Sequence, residues 1–151
     1  MKAFDSVNDI LDFAIKHEQE AVDFYLQLAA QMKNTSMKTT FEDFAREEIN
    51  HKAKLQKIKD EGVFTLPKEN ILDLKIADYI TNVYPSGDME YRDALVLAMK
   101  KEKAAFKLYT NLALRTENET LKNIFLGLAQ EESKHKLSFE IEYDEFVMRE
   151  N

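Results

Sequence analysis

Apolar residues recur at helical spacing along most of the chain. Over residues 7–33 they repeat at intervals of three, four and seven, which predicts a helix with one buried stripe. A polar break at residues 34–36 separates it from a second helix, predicted from Met37 to about Glu61, and Gly62 follows at a position typical of a helix C-terminus. The stripe of the first helix consists of Ile10, Phe13, Ala14, Ala21, Phe24 and Leu28.

The second half of the chain predicts another pair of helices. One begins after Asp88 and runs to about Arg115, and the next follows a Thr-x-x-Glu start signal at Thr116 and continues to near Met148. Because only a short turn separates the two helices of each pair, we expect both pairs to be antiparallel.

Residues 62–87 lose the helical pattern and connect the two pairs. Pro67 and Pro85 bracket Leu72–Val83, which is a candidate short helix. The third helix follows the second but must pair with the fourth, so the connection is predicted to be a long crossover, which can also reach a neighbouring subunit and produce a swapped dimer. We predict an all-α four-helix bundle in a single domain, 1–151, with a first repeat at about 6–61, the crossover at 62–87 and a second repeat at about 88–149.

The two halves match each other at a constant offset of 84 positions, without a gap (102−18, for example). Each half has one isolated Glu on its first helix and a Glu-x-x-His on its second, so the sequence reads as a duplicated helix pair. Apolar and aromatic positions match as well. The matching polar residues are Glu18 with Glu102, Glu48 with Glu132, and His51 with His135.

This repeated polar set is typical of a two-metal site inside a helix bundle. Residues three apart project from the same side of a helix, so each Glu-x-x-His can point at one metal, while the isolated Glu supplies bridging or capping oxygens from the opposite side. In each half the two Glu are 30 residues apart (48−18 and 132−102), which brings them to the same height in an antiparallel hairpin. Carboxylate and imidazole ligands favour Fe or Mn, with Zn an alternative, and two iron ions suit a redox function best.

Burial of four carboxylates also favours metal binding. An unpaired buried charge costs several kcal/mol, which a marginally stable fold cannot bear four times. Two divalent cations would neutralise the four carboxylates. The alternative is a hydrogen-bonded polar network without metal, or a duplication that persists although its site no longer works.

Other residues near these motifs have weaker signals. Tyr25 and Tyr109 each follow the isolated Glu of their repeat by seven positions, and we predict that their hydroxyls bond to ligating carboxylates, the alternative being ordinary core aromatics. His17 is expected to be a surface histidine. Glu47 and Glu131 also match between the repeats and are interpreted as solvated or helix-contacting residues, with a supporting role at the site left open.

Composition excludes several other classes of protein. The chain has no Cys, which rules out a disulfide scaffold, a thiolate zinc site, an iron–sulfur cluster and a rubredoxin-type domain within it. A net charge of −7 disfavours binding to nucleic acid, which requires a basic face. Neither a secretory signal core nor an apolar run of membrane-spanning length is present, so we expect a soluble, cytoplasmic protein without membrane partners.

The motifs resemble those of the ferritin-like superfamily. The phrases Phe-Ala-Arg-Glu-Glu-Ile-Asn-His and Leu-Ala-Gln-Glu-Glu-Ser-Lys-His, which end at His51 and His135, are most similar to the rubrerythrin branch, here without its rubredoxin domain. The resemblance implies a ferritin-like bundle with a non-haem di-iron centre that reacts with hydrogen peroxide or dioxygen, a role in oxidative stress, and a homodimer. It also implies re-reduction by a rubredoxin, which must be a separate electron-donor protein. The implied iron ligands are Glu18, Glu48, His51, Glu102, Glu132 and His135, with Tyr25 and Tyr109 as their hydrogen-bond partners.

The chain departs from the rubrerythrin pattern at one ligand position. Rubrerythrins tend to have an extra carboxylate one turn from the isolated Glu of the second repeat, where this chain has Ala105 after Glu102 and Met99 before it. The remaining six-residue set is also similar to the ferroxidase centre of bacterioferritins. Oxidation of Fe²⁺ as a substrate is therefore an alternative function, and a non-enzymatic, metal-stabilised bundle is a second alternative.

Overall fold

The computed structural model describes residues 7–61, 85, 87, 89–116 and 118–150, and these residues form four α-helices without any strand. The helices are α1 (Val7–Gln31), α2 (Thr35–Glu61), α3 (Tyr91–Leu114) and α4 (Glu119–Glu150). Each boundary lies within a few residues of its predicted place, which confirms the all-α bundle. Within the described ranges, none of the helices is both long and apolar enough to cross a membrane.

Asparagine side chains cap the second helix of each pair. Asn34 Oδ1 accepts a hydrogen bond from the backbone N–H of Ser36 at 2.7 Å, and Asn118 Oδ1 accepts one from Leu121 at 3.0 Å. The two asparagines are 84 positions apart, so the duplication extends to the caps. The predicted start signal at Thr116 is wrong, because its hydroxyl donates to a backbone carbonyl of α3 at 2.6 Å and so completes that helix instead.

Each helix packs along its neighbour in sequence, α1 with α2 and α3 with α4, as the short turns require. The ends of α2 and α3 meet in one apolar cluster, whereas the start of α3 packs against the start of α2 in another. Helix α2 therefore ends at one end of the bundle and α3 begins at the other, as a crossover connection requires. The predicted crossover, with its short helix at Leu72–Val83, lies almost entirely outside the described residues.

Two apolar clusters fill the two ends of the bundle. The first, at the end where α1 begins, contains Ile10, Leu55, Leu112 and Phe125 among other residues. The second, at the opposite end, includes Leu28, Phe41, Leu95 and Phe139. Aromatic rings stack within this second cluster, where Phe41 and Phe139 lie 6.1 Å apart between centroids. The buried glutamates lie in the middle of the bundle, between the two clusters.

Candidate metal centre

The middle of the bundle contains all six residues that the duplicated motifs single out. Glu18 and Glu102 come from the middle of α1 and α3, and the two Glu-x-x-His motifs come from α2 and α4. The four glutamates are at most 1% exposed, and the side chains of His51 and His135 are 4% and 13% exposed. Four acidic side chains at this depth require either compensating positive charge or bound protons.

The two imidazoles turn their Nδ1 atoms toward the carboxylates. His51 Nδ1 lies 2.9 Å from Glu132 Oε1, and His135 Nδ1 lies 3.3 Å from Glu48 Oε1. Each Nδ1 atom is therefore closest to the motif glutamate of the other repeat. The remaining Nδ1 distances are 3.7 and 3.8 Å from His51 to Glu18 and Glu48, and 3.6 and 3.8 Å from His135 to Glu102 and Glu132.

The twofold relation of the sequence is thus reproduced at the site. The matched distances from the two Nδ1 atoms agree within a few tenths of an ångström. The two imidazole rings lie parallel, with their centroids 5.8 Å apart and an interplanar angle of 2°. A ligand set that recurs in this way is typical of a two-metal site in a duplicated bundle.

The ligand atoms form two overlapping groups, each compact enough to surround one ion. Within each group, one atom from every residue lies within 4.8 Å of the others. The two groups are Glu18, Glu48, His51 and Glu132, and Glu48, Glu102, Glu132 and His135. Glu48 and Glu132 belong to both, so the shared carboxylates come from the Glu-x-x-His motifs, whereas the sequence suggested a bridging or capping role for Glu18 and Glu102.

Two buried tyrosines reach the isolated glutamates. The Tyr25 hydroxyl donates to Glu102 Oε1 at 2.5 Å, and the Tyr109 hydroxyl donates to Glu18 Oε1. Each tyrosine therefore bonds to the glutamate of the other repeat, although spacing alone related it to the glutamate of its own. Burial, followed by the nearby carboxylates, raises the pKa of both phenols, so they remain hydrogen-bond donors at neutral pH.

The pKa is raised at two glutamates and at both imidazoles of the cluster. Burial, together with the adjacent Glu48, raises the pKa of Glu18 to about 7, and burial with three neighbouring carboxylates raises that of Glu132 well above its usual range. Burial lowers the pKa of each imidazole, but the surrounding carboxylates outweigh it and raise the pKa to about 9 for His51 and about 10 for His135. A cluster that draws in protons this strongly is a region of negative potential.

The donor set fits divalent metal ions. Among the buried side-chain atoms that lack a hydrogen-bond partner are oxygens of all four glutamates and Nδ1 of both imidazoles. Unpartnered buried atoms of this kind are rare in folded proteins and call for an explanation. Each of these atoms can donate a lone pair to a metal ion, either directly or after losing a proton. Because the atoms converge on two points, a cation at each point would give all of them a partner.

His17 contradicts the expectation of a surface position. Its side chain is 6% exposed, its ring meets the edge of Tyr109 with centroids 6.3 Å apart, and Nδ1 has no hydrogen-bond partner. Burial lowers its pKa to about 4, so the imidazole is neutral. The repeat did not indicate that His17 is buried, because the matching position in the second repeat is Lys101.

Glu131 lies closer to the site than its expected role as a solvated or helix-contacting residue suggested. Its Oε2 atom is 2.5 Å from Nε2 of His51, on the opposite side of the ring from the carboxylate cluster. The distance is that of a charge-assisted contact, although the two groups are not aligned as a hydrogen bond. The recurrence of Glu47 and Glu131 beside the two motifs was the only signal of this in the sequence.

Comparison with known proteins shows a similar fold and a family match. A solved structure of a hypothetical protein from Pyrococcus furiosus is similar to the chain, with a TM-score of 0.69 and 25% sequence identity over 92% of this chain and 89% of that one. No curated protein matches the sequence. The sequence model of the rubrerythrin family matches residues 9–79 and 93–151, which include all six residues of the cluster. The chain therefore belongs to the rubrerythrin family.

Proposed function

We propose that this protein is a non-haem di-iron oxidoreductase that reduces hydrogen peroxide. The observation that carries the proposal is the pair of buried groups, each with three carboxylates and one imidazole, that share Glu48 and Glu132. When bound, two ferrous ions would supply the two electrons that convert one peroxide molecule and two protons into two molecules of water.

The charge and chemistry of the six residues support iron as the metal. Two divalent cations balance four carboxylates, so the loaded site would be neutral and compatible with its burial. Carboxylate oxygens with one imidazole nitrogen per metal suit Fe and Mn, and of these we propose iron for a redox reaction. Glu18 and His51 would hold one metal, Glu102 and His135 the other.

Residues around the ligands would orient them and exclude water. Tyr25 and Tyr109 each fix one oxygen of an isolated glutamate, which leaves the other oxygen for a metal. The apolar clusters on both sides keep the site dry, and the most exposed of the six side chains, His135, is only 13% exposed. Such limited access favours a small substrate such as hydrogen peroxide or dioxygen over a larger organic molecule.

Continuous turnover would require electrons from outside the chain. The sequence contains no Cys, so no iron–sulfur or rubredoxin-type centre within it can return electrons to the site. We therefore propose a separate electron-donor protein, such as a rubredoxin. With such a donor, the reaction consumes two electrons and two protons for each peroxide.

The test is the reactivity of the protein loaded anaerobically with Fe²⁺. We expect rapid oxidation, followed by stopped-flow absorbance, on mixing with hydrogen peroxide and a much slower reaction with dioxygen. Full re-reduction by a chemical donor should then restore the response to a second addition of peroxide. Fast oxidation by dioxygen with continued uptake of Fe²⁺ beyond two per chain would instead identify a ferroxidase and contradict the proposal.

A further inference from the structure

We propose that Glu131 is a positioning residue for His51 and that it makes the two metal positions unequal, so that the position at His51 binds metal more tightly and fills first. This inference rests on the metal-binding part of the proposed function. It does not depend on which oxidant the protein uses.

The ligand atoms themselves do not distinguish the two positions. Each position has three carboxylates and one imidazole, and the matched Nδ1 distances are alike. Each isolated glutamate also accepts a hydrogen bond from one tyrosine. A large difference in affinity would therefore come from groups beyond the six ligands.

Such a difference exists at the outer nitrogens of the two imidazoles. Nε2 of His51 lies 2.5 Å from Glu131, whereas the described residues include no carboxylate within ion-pair distance of Nε2 of His135. Glu47 is the residue that matches Glu131 in the other repeat, yet it is exposed and makes no such contact. The sequence is symmetric at this point and the structure is not.

The surroundings of the rings differ in the same direction. His51 is 4% exposed and has carboxylates on both nitrogens, whereas His135 is 13% exposed and meets the edge of the Phe44 ring with centroids 5.0 Å apart. His51 is therefore held from both sides. His135 is anchored only through Nδ1 and by apolar contact.

A carboxylate at the outer nitrogen has a known physical effect on a metal ligand. When Nδ1 binds a metal, the proton of a neutral imidazole must be on Nε2, and an acceptor there fixes both the tautomer and the orientation of the ring. It also makes the imidazole a stronger donor. Loss of such a partner typically weakens metal binding by about 10–100-fold. Glu131 can supply this effect to one position, and Glu47 does not supply it to the other.

The repeat provides a matched pair of variants for the test. We would titrate Co²⁺ alone into metal-free wild-type, E131Q and E47Q proteins, using isothermal titration calorimetry together with the visible spectrum of bound Co²⁺. The wild-type protein should bind two Co²⁺ in two resolved steps. E131Q should weaken the tighter step about 10–100-fold, while E47Q should leave both steps unchanged.

A second measurement separates positioning from a general structural effect. In the Co²⁺-loaded protein, each ligating imidazole should give one exchangeable, paramagnetically shifted proton signal from its Nε2–H group. We expect one to exchange slowly with solvent because the Glu131 carboxylate lies 2.5 Å from that nitrogen, and E131Q should accelerate this signal alone. Circular dichroism of each variant should show wild-type helix content, because both substitutions are at exposed positions.

Three results would overturn the inference. They are two equivalent steps in the wild-type protein, an E131Q titration like that of the wild type, or equal losses in E131Q and E47Q. The metal-binding part of the proposed function fails in a different way, because the wild-type protein would then bind no Co²⁺ at the cluster at all.

Discussion

Replacing Glu132 with Gln should strongly weaken metal binding at both positions, because this carboxylate belongs to both ligand groups. The substitution keeps the size of the side chain but removes one negative charge and one oxygen donor. By contrast, Glu18→Gln affects a residue of only one group and should spare the other. The comparison therefore tests the shared position of Glu132 rather than charge loss in general.

The expected sizes follow from binding linkage. With free metal at 100 times the Kd of the weaker position, each filled position stabilises the fold by at least about 2.7 kcal/mol, or about 5 kcal/mol for two. A 100-fold loss of affinity reduces the contribution of a position to about 0.4 kcal/mol. For a chain of this size, 1 kcal/mol corresponds to about 2–4 °C in Tm. Metal should thus raise the Tm by about 10–20 °C in wild type, about 6–12 °C in Glu18→Gln and about 2–3 °C in Glu132→Gln.

Thermal unfolding followed by circular dichroism, with and without Mn²⁺, provides the assay. Without metal, Glu132→Gln should be at least as stable as wild type, since burial and neighbouring carboxylates already raise the pKa of this group and disfavour its charged form. A metal-dependent Tm shift in Glu132→Gln equal to that in Glu18→Gln would refute the shared role. Glu47→Gln, an exposed change, is the control.

Three further predictions concern the hydrogen bonds, the pH dependence and the core. Tyr25→Phe or Tyr109→Phe removes a buried hydrogen-bond donor to a carboxylate. Each should lower the free energy of unfolding of the metal-free protein, measured in urea, by about 1.5–3 kcal/mol. No change would show that the hydrogen bond does not stabilise the fold. The metal-free protein should lose stability as pH rises, because a raised pKa means that the folded state binds the proton more tightly than the unfolded state does. The loss should occur between pH 4.5 and about 7 for Glu18, and between pH 6.5 and about 9 for His51. Over the same range metal affinity should rise, with proton release measurable by calorimetry in two buffers, and a pH-independent affinity would contradict the raised pKa of His51. Phe139→Ala should cost about 3–5 kcal/mol, because the ring is fully buried and stacks in the aromatic cluster, and a loss below about 1 kcal/mol would contradict this packing.

Much of the fold could be predicted because its signals are local and repeated. Helical periodicity located all four described helices, and the 84-residue offset related the two halves without a gap. The cap of α4 was misplaced because Thr116 and Asn118 are both good capping residues and only the end of α3 decides between them. The 84-residue offset relates Asn118 to Asn34, which caps α2, and so indicates Asn118 as the cap of α4.

The residues of the candidate site could also be predicted from the sequence, but the contacts between them could not. Spacing along one helix says which residues share a face, and it brought the six cluster residues together. It cannot say which helix lies opposite, so the cross-repeat bonds of Tyr25 and Tyr109 appeared only in the structure. The burial of His17 and the contact of Glu131 with His51 depend on the same helix-to-helix geometry.

The most direct test of the two-metal site is a crystal structure of the iron-loaded protein with anomalous scattering recorded at the iron edge. We predict two iron peaks about 3.5–4 Å apart between the Glu48 and Glu132 carboxylates, one bound by Nδ1 of His51 and the other by Nδ1 of His135. Absence of iron from the cluster, or a single peak bound by both imidazoles, would contradict the assignment of these residues to a two-metal centre.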